Sequence, residues 1–304
     1  MALDVHPRLR ALAAACAALA TAAVAGCALS RAAADIPPPN HTLVSTHPSA
    51  TPAPPPTIPP GMRQLRVAGR TYLLSIPHGV RRPAPLIVAL GGIGWSARSE
   101  VAAFRLGSAA AAKHAVVAYP DPVNGLWNAG GCCHGAAADD VGFLTKMRAQ
   151  IAHKVPLDPH RQWLIGFSNG GMLAYYAACA NRNWTGIVVL GASLTARCAP
   201  SHPFFITNVN GETDAVAPWN GGWSSYSQAV MPAVWQIDQQ FATVFGCGPV
   251  AQTSSGDNQV FTYTGCHDGV FVRDIRVPRL WHHWPLKEQD GYDIGPVLLR
   301  LALG

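Results

Sequence analysis

The sequence predicts an α/β domain on a mostly parallel, doubly wound sheet, and three observations lead there. Short continuous apolar runs at 86–90, 115–119, 163–167, 186–190 and 204–209 are each bounded by turn residues, the pattern of strands buried on both faces. Between them lie stretches of helical composition at 99–113, 139–153, 170–179 and 224–245, so strand and helix alternate. Apolar residues make up 49% of the 304 and charged residues only 12%, which excludes a charged disordered chain and leaves material for a large core.

The flanking elements follow from local signals. Residues 62–76 alternate polar and apolar around Ala68-Gly69, an opening antiparallel hairpin. The helix at 139–153 starts on Asp139 and Asp140, acids that suit a helix N-terminus. A strand at 270–277 and a helix at 294–302 close the domain, and with no internal repeat or second linker the folded part reads as a single domain, 61–304.

The first 60 residues read as an address and a tether. Arg8 and Arg10 precede an Ala-rich run from 11 to 25, too short and too weakly apolar for a membrane span, so 1–26 reads as an export signal. It ends in Val24-Ala25-Gly26-Cys27, which resembles the bacterial lipobox, so Cys27 is the expected lipidated N-terminus. A plain secretory signal cut after Ala32-Ala33-Ala34 is the alternative. Ten of the 25 residues in 36–60 are proline, so 27–60 runs as an extended tether. The protein is expected outside the cytoplasm, anchored to the outer face of the cell membrane or freely secreted. Lys and Arg number 22 against 16 Asp and Glu, a net charge of +6, but they form no run of five or six, so nucleic-acid binding is excluded.

Setting aside Cys16 and Cys27, six of the eight cysteines remain, an even number in an exported chain, and disulfides are expected. Cys247 and Cys266 flank a short excursion, and Cys179 and Cys198 bracket one strand, which makes these the candidate bridges. Cys132 and Cys133 are left as a vicinal pair or free thiols. His134 follows them, yet adjacent cysteines do not readily chelate one tetrahedral ion and no CxxC spacing occurs, so no metal site is expected.

The chemistry centres on Gly166-Phe167-Ser168-Asn169-Gly170, a G-x-S-x-G sequence with an apolar strand running into it and a helix-forming stretch leaving it. That is a nucleophile elbow, whose glycines keep side chains out of a tight turn and whose helix N-terminus favours developing negative charge. A serine needs a base, and the base an orienting acid, in the order Ser, Asp, His. Asp214 follows the strand at 204–209, and His282-His283 follow the last strand, all at carboxyl ends. From the residues alone either histidine is eligible. Asp139 and Asp140 precede the elbow, which breaks the order and leaves them helix caps.

Together, Gly-Phe-Ser-Asn-Gly-Gly-Met at 166–172, Trp127-Asn128 with Cys132-Cys133, the run at 139–143, Asp214 to Gly222 and His282-x-Trp-Pro resemble the single-domain poly(3-hydroxybutyrate) depolymerase and feruloyl or acetylxylan esterase group. The resemblance implies an α/β-hydrolase with Ser168 as nucleophile, Asp214 as acid and His282 as base. It departs in two places. Leu90-Gly91-Gly92 stands where the family has Leu-His-Gly, so the oxyanion hole is assigned to backbone N–H groups of Asn169 and Ile93. Leu280 and Trp281 replace the glycines that usually precede the histidine. Trp127, Trp219, Trp223 and Trp281 are the candidate substrate-lining residues, and Trp284, beside Pro285, is assigned to structure. The expected function is an extracytoplasmic serine esterase needing no cofactor and acting on a polymeric or envelope-bound ester; the alternative is a binding or adhesion lipoprotein on a hydrolase scaffold.

Overall fold

The computed structural model describes residues 61–132, 137–224, 226–227 and 229–304. The export signal, the tether, Cys16 and Cys27 lie outside the described residues, as do Cys133 and His134.

The chain opens with the hairpin of β1 (Met62–Val67) and β2 (Arg70–Ser75), turned by Ala68 and Gly69, both at positive φ as a two-residue hairpin turn requires. Then follow β3 (Ala84–Leu90), α1 (Ala97–Phe104), α2 (Gly107–Ala112), β4 (Val116–Pro120), α3 (Asp140–Lys154), β5 (Leu157–Phe167), α4 (Asn169–Ala180), β6 (Gly186–Leu190) and β7 (Phe205–Gly211). A small ribbon, β8 (Gly222–Ser224) with β9 (Ala229–Met231), leads to α5 (Val234–Val244) and to the hairpin β10 (Val250–Ser255) and β11 (Asn258–Tyr263). The chain ends with β12 (Val272–Val277), α6 (Lys287–Asp290) and α7 (Ile294–Leu303).

Ten strands form one sheet in the order β1-β2-β4-β3-β5-β6-β7-β12-β11-β10. The six from β4 to β12 run parallel, and the antiparallel hairpins flank them. Every residue of β3, β4 and β6 is buried, because helices cover both faces. Alternate side chains of β3 enter different cores: Leu86, Val88 and Leu90 pack with α3, α4 and α5 residues such as Phe143, Leu173 and Phe241. Ile87 and Ala89 pack with Phe104, Ala110 and Leu298 of α1, α2 and α7. Helix α4, apolar all round, is buried on nearly every residue, as a helix wedged beneath the sheet must be.

Two sequence expectations need correction. The helix expected over 99–113 is broken at Arg105, which takes φ +50°, so that Phe104 and Leu106 are both fully buried; Gly295 of α7 packs on the Phe104 carbonyl there, where a Cβ would collide. The helix expected over 224–245 begins only at Val234, since Pro232 lacks an N–H and disfavours helix in Met231, and the preceding residues pair as β8 and β9. The excursion between Cys247 and Cys266 is a polar hairpin that extends the sheet. Its turn, Gly256-Asp257, is a two-residue hairpin signal.

Disulfides join Cys179 to Cys198 and Cys247 to Cys266, and Cys132 is disulfide-bonded too. Each of the first two bridges spans 19 positions. Closing a loop of that length constrains the unfolded chain by about 3 kcal/mol. Replacing Cys247 and Cys266 together by Ala should therefore lower the melting temperature by about 10 °C in a domain of this size, read by calorimetry; an unchanged value would show that the bridge does not stabilise the fold.

Candidate active site

Four strand ends converge at the carboxyl edge of the parallel sheet. Strand β3 runs into Gly91-Gly92-Ile93, β5 into Ser168, β7 into the loop carrying Asp214, and β12 into the segment carrying His282.

Ser168 is the hinge between β5 and α4, at φ +52°, ψ −123°, a strained conformation for a residue with a side chain. Its N–H donates to the Leu190 carbonyl and its own carbonyl accepts from Met172 N–H, both at 3.0 Å, so the turn is held from both sides. The flanking glycines are obligatory: a Cβ at Gly166 would stand 2.6 Å from the Gly170 carbonyl oxygen, and one at Gly170 would overlap the Leu90 carbonyl.

His282 Nε2 lies 2.9 Å from Ser168 Oγ, and His282 Nδ1 lies 2.7 Å from Asp214 Oδ2. The other carboxyl oxygen, Oδ1, accepts the backbone N–H groups of Val216 and Ala217, each at 2.8 Å. In a neutral ring, a proton on Nδ1 facing Asp214 leaves Nε2 as the acceptor for the serine O–H. The imidazole stacks on Phe167, centroids 5.2 Å apart, which fixes its plane. Gly191, at φ +57°, leaves room for the pair; a Cβ there would come within 3.1 Å of Asp214 Oδ2 and 3.2 Å of His282 Nδ1. His283 lines the cleft but does not reach Ser168: it stacks on Trp281 at 4.4 Å with Nε2 2.8 Å from Asp290 Oδ1, and this bond above all holds the Asp290 carboxyl below its ordinary range. Of the two adjacent histidines, it is His282 that meets Ser168.

The cleft above Ser168 is walled by Trp95, Phe167, Tyr226 and Trp284, with Gly92 and Ile93 along one side. Sequence reasoning missed Trp95 and Tyr226, and it assigned Trp284 to structure alone. Trp284 fills both roles, since its indole N–H also donates to the Ala103 carbonyl at 2.9 Å. Trp127 is corrected: it is fully buried and is not among the residues that line the cleft. Its indole N–H donates to the Gly91 carbonyl at 3.1 Å, and its backbone N–H and C=O bond the Asn169 side chain at 2.8 and 3.1 Å. Trp219 donates to the Asp274 carboxyl and faces a separate cavity with Trp235, Phe261 and Tyr263. Trp223 and Trp281, 65% and 60% exposed, are not among the residues that line the cleft.

Asn169 N–H begins α4 beside Ser168, and Ile93 stands at the cleft rim. In place of the missing histidine, Glu100 of α1 reaches this loop: its Oε1 accepts Gly91 N–H at 2.7 Å. Glu100 is fully buried, and burial pushes its carboxyl well above the ordinary range, with the Gly91 bond opposing and nearby Asp121 adding. A single acid in the first turn of a helix reads in sequence as a surface residue facing the helix dipole, so nothing marked it. The two acids read as caps divide: Asp139 caps α3 by accepting Gly142 N–H, while Asp140 is buried against Arg70 and accepts Asn128 N–H at 2.6 Å. Among the described residues no cluster of His, Cys, Asp and Glu could hold a metal ion, and no helix is long and apolar enough to cross a membrane.

The parallel sheet and the strand–Ser168–helix elbow define an α/β-hydrolase. No family model matches the chain. It is 30% identical to Feruloyl esterase B of Piromyces equi over 67% of its own length and 40% of that protein's, and 26% identical to Feruloyl esterase C of Emericella nidulans over 70% and 81%. It thus spans less than half of the first of these relatives. The acetyl xylan esterase from Aspergillus awamori shares the fold, with a TM-score of 0.55 at 13% identity over 76% of this chain and 98% of that one. The chain is a feruloyl-esterase-like α/β-hydrolase.

Proposed function

We propose that the chain is a serine carboxylic-ester hydrolase working through an acyl-enzyme, and the hydrogen-bonded line Ser168–His282–Asp214 under an aromatic cleft is the observation that carries this reading. Ser168 Oγ attacks the ester carbonyl while His282 Nε2 takes its proton, and Asp214 holds the imidazole in the required tautomer. The oxyanion is accepted by the backbone N–H groups of Asn169 and Ile93. The alcohol leaves with the proton from His282, which then deprotonates the water that cleaves the acyl-enzyme into acid and free Ser168. Four aromatic rings around the serine favour an aryl acyl group, and the feruloyl esterases among the relatives point the same way. A fluorophosphonate should label Ser168 and stop hydrolysis of methyl ferulate and p-nitrophenyl acetate together; an active protein that resists labelling would overturn the reading.

The site is proposed to work outside the cytoplasm, tethered to the membrane by acyl chains on Cys27. The disulfides are consistent with export. Two or three acyl chains, at about 0.8 kcal/mol per buried CH₂, would make attachment effectively permanent, and the 25 residues of the proline-rich part of the tether, 36–60, at about 3.1 Å each reach on the order of 75 Å. Such reach suits a polymeric or envelope-bound ester. Cys27→Ala should move the protein from the detergent to the soluble fraction with unchanged specific activity; a wild type already soluble with its N-terminus at Asp35 would refute the anchor.

A further inference from the structure

We infer that Glu100, Trp127 and the Asn169 side chain form one buried clamp that holds the two halves of the oxyanion hole in register, with Glu100 as a positioning residue. This rests on the esterase reading above and concerns how its oxyanion site keeps its shape.

The clamp is a continuous series of hydrogen bonds. Gly91, which opens the loop leading to Ile93, has both backbone polar groups tied by side chains from different segments: its N–H to Glu100 Oε1 at 2.7 Å and its carbonyl to Trp127 Nε1–H at 3.1 Å. Trp127 then binds Asn169 through its own backbone, so the loop of one oxyanion donor is linked to the residue supplying the other. Glu100, Gly91, Trp127 and Asn169 are all buried. The fit leaves no slack, since a Cβ on Gly91 would lie 2.7 Å from Trp95 Cε3 and 2.9 Å from Glu100 Oε1.

The need for such a device follows from the loop's composition. Gly91-Gly92 has the greatest backbone freedom of any dipeptide, while oxyanion donors act only when held about 2.7–3.1 Å from where the charge develops. Removing a carboxyl wholly from water is unfavourable, and Glu100 Oε2 has no hydrogen-bond partner, so a helix-dipole role that a surface acid would fill equally well does not account for its position. Bonding Gly91 does. An acceptor oxygen is all that bond requires, and glutamine supplies one.

The test uses the full-length protein and steady-state hydrolysis of p-nitrophenyl acetate, with circular dichroism as the check on folding. Glu100→Leu, of similar size but without an acceptor, should lose kcat on the order of 10- to 100-fold, part of what a whole oxyanion donor is worth, with KM within about threefold of wild type. Glu100→Gln should stay within about threefold in kcat. Trp127→Phe keeps the ring and loses the Gly91 bond from the other side; it should lower kcat about tenfold, and the double variant should lose less than the product of the two effects. Unchanged kcat in folded Glu100→Leu, or equal losses in the Leu and Gln variants, would overturn the clamp; if the Leu variant does not fold, wild-type kcat in Trp127→Phe would overturn it. A wild type that hydrolyses no ester would instead refute the esterase reading.

Discussion

Ser168→Ala is expected to lower kcat/KM for a short p-nitrophenyl ester on the order of 10⁵-fold or more, to the level left by oxyanion stabilisation and binding alone. The size follows from the hydroxyl's proposed role as the atom that bonds to the acyl carbon, for which no neighbour substitutes. The fold should be indifferent to the change. Ser168 Oγ has one hydrogen bond, to His282, and Ala at φ +52° carries the same backbone strain as Ser. The melting temperature should therefore stay within about 2 °C, consistent with the small effect of removing one part-buried hydrogen bond. Activity above about one per cent of wild type in the purified variant would remove Ser168 from the mechanism.

The second large effect separates two adjacent residues. His282→Ala should be as severe as Ser168→Ala, because groups that act as a unit lose nearly everything when one is removed. His283→Ala should keep kcat/KM within about threefold. The contrast rests on direction alone: His282 stands between Ser168 and Asp214, while His283 stacks on Trp281 and bonds Asp290. A severe His283→Ala and a mild His282→Ala would place the base one residue further along.

Much of this was legible in the sequence because it depends on local pattern. The elbow is a strand, a tight turn and a helix that follow one another directly in the chain, each with its own signal, and the buried strands announce themselves as apolar runs. Asp214 and His282 could be placed because strand ends are where an α/β sheet gathers its chemistry. What failed depends on which way a side chain points. Trp127 and Trp95 are both tryptophans near glycine-rich turns, yet one is a buried strut and the other a wall of the cleft. The strands β10 and β11 are rich in Thr, Ser, Gln and Asn and exposed on both faces along β10, so no apolar alternation marked them; only Gly256-Asp257 did. Glu100 was invisible as a site residue because its meaning lies in burial, which a lone acid in a helical stretch does not reveal.

The placement of the hairpins at the two rims of the sheet sets the order in which the molecule comes apart. Fraying begins where a strand has a neighbour on one side only, at β1 and at β10, the latter exposed along its whole length. To reach β12, whose end leads to His282, a loss of pairing must first consume β10 and β11, and the Cys247–Cys266 bridge pins the base of that hairpin. From the other rim it must pass β1, β2 and β4 before it touches β3 and the Gly91 loop. Local opening free energies therefore rise inward, and the strands that end at Ser168, Asp214 and His282 belong to the part that opens last. A domain built this way can shed its margins under stress and close them again with the strand ends around Ser168 undisturbed.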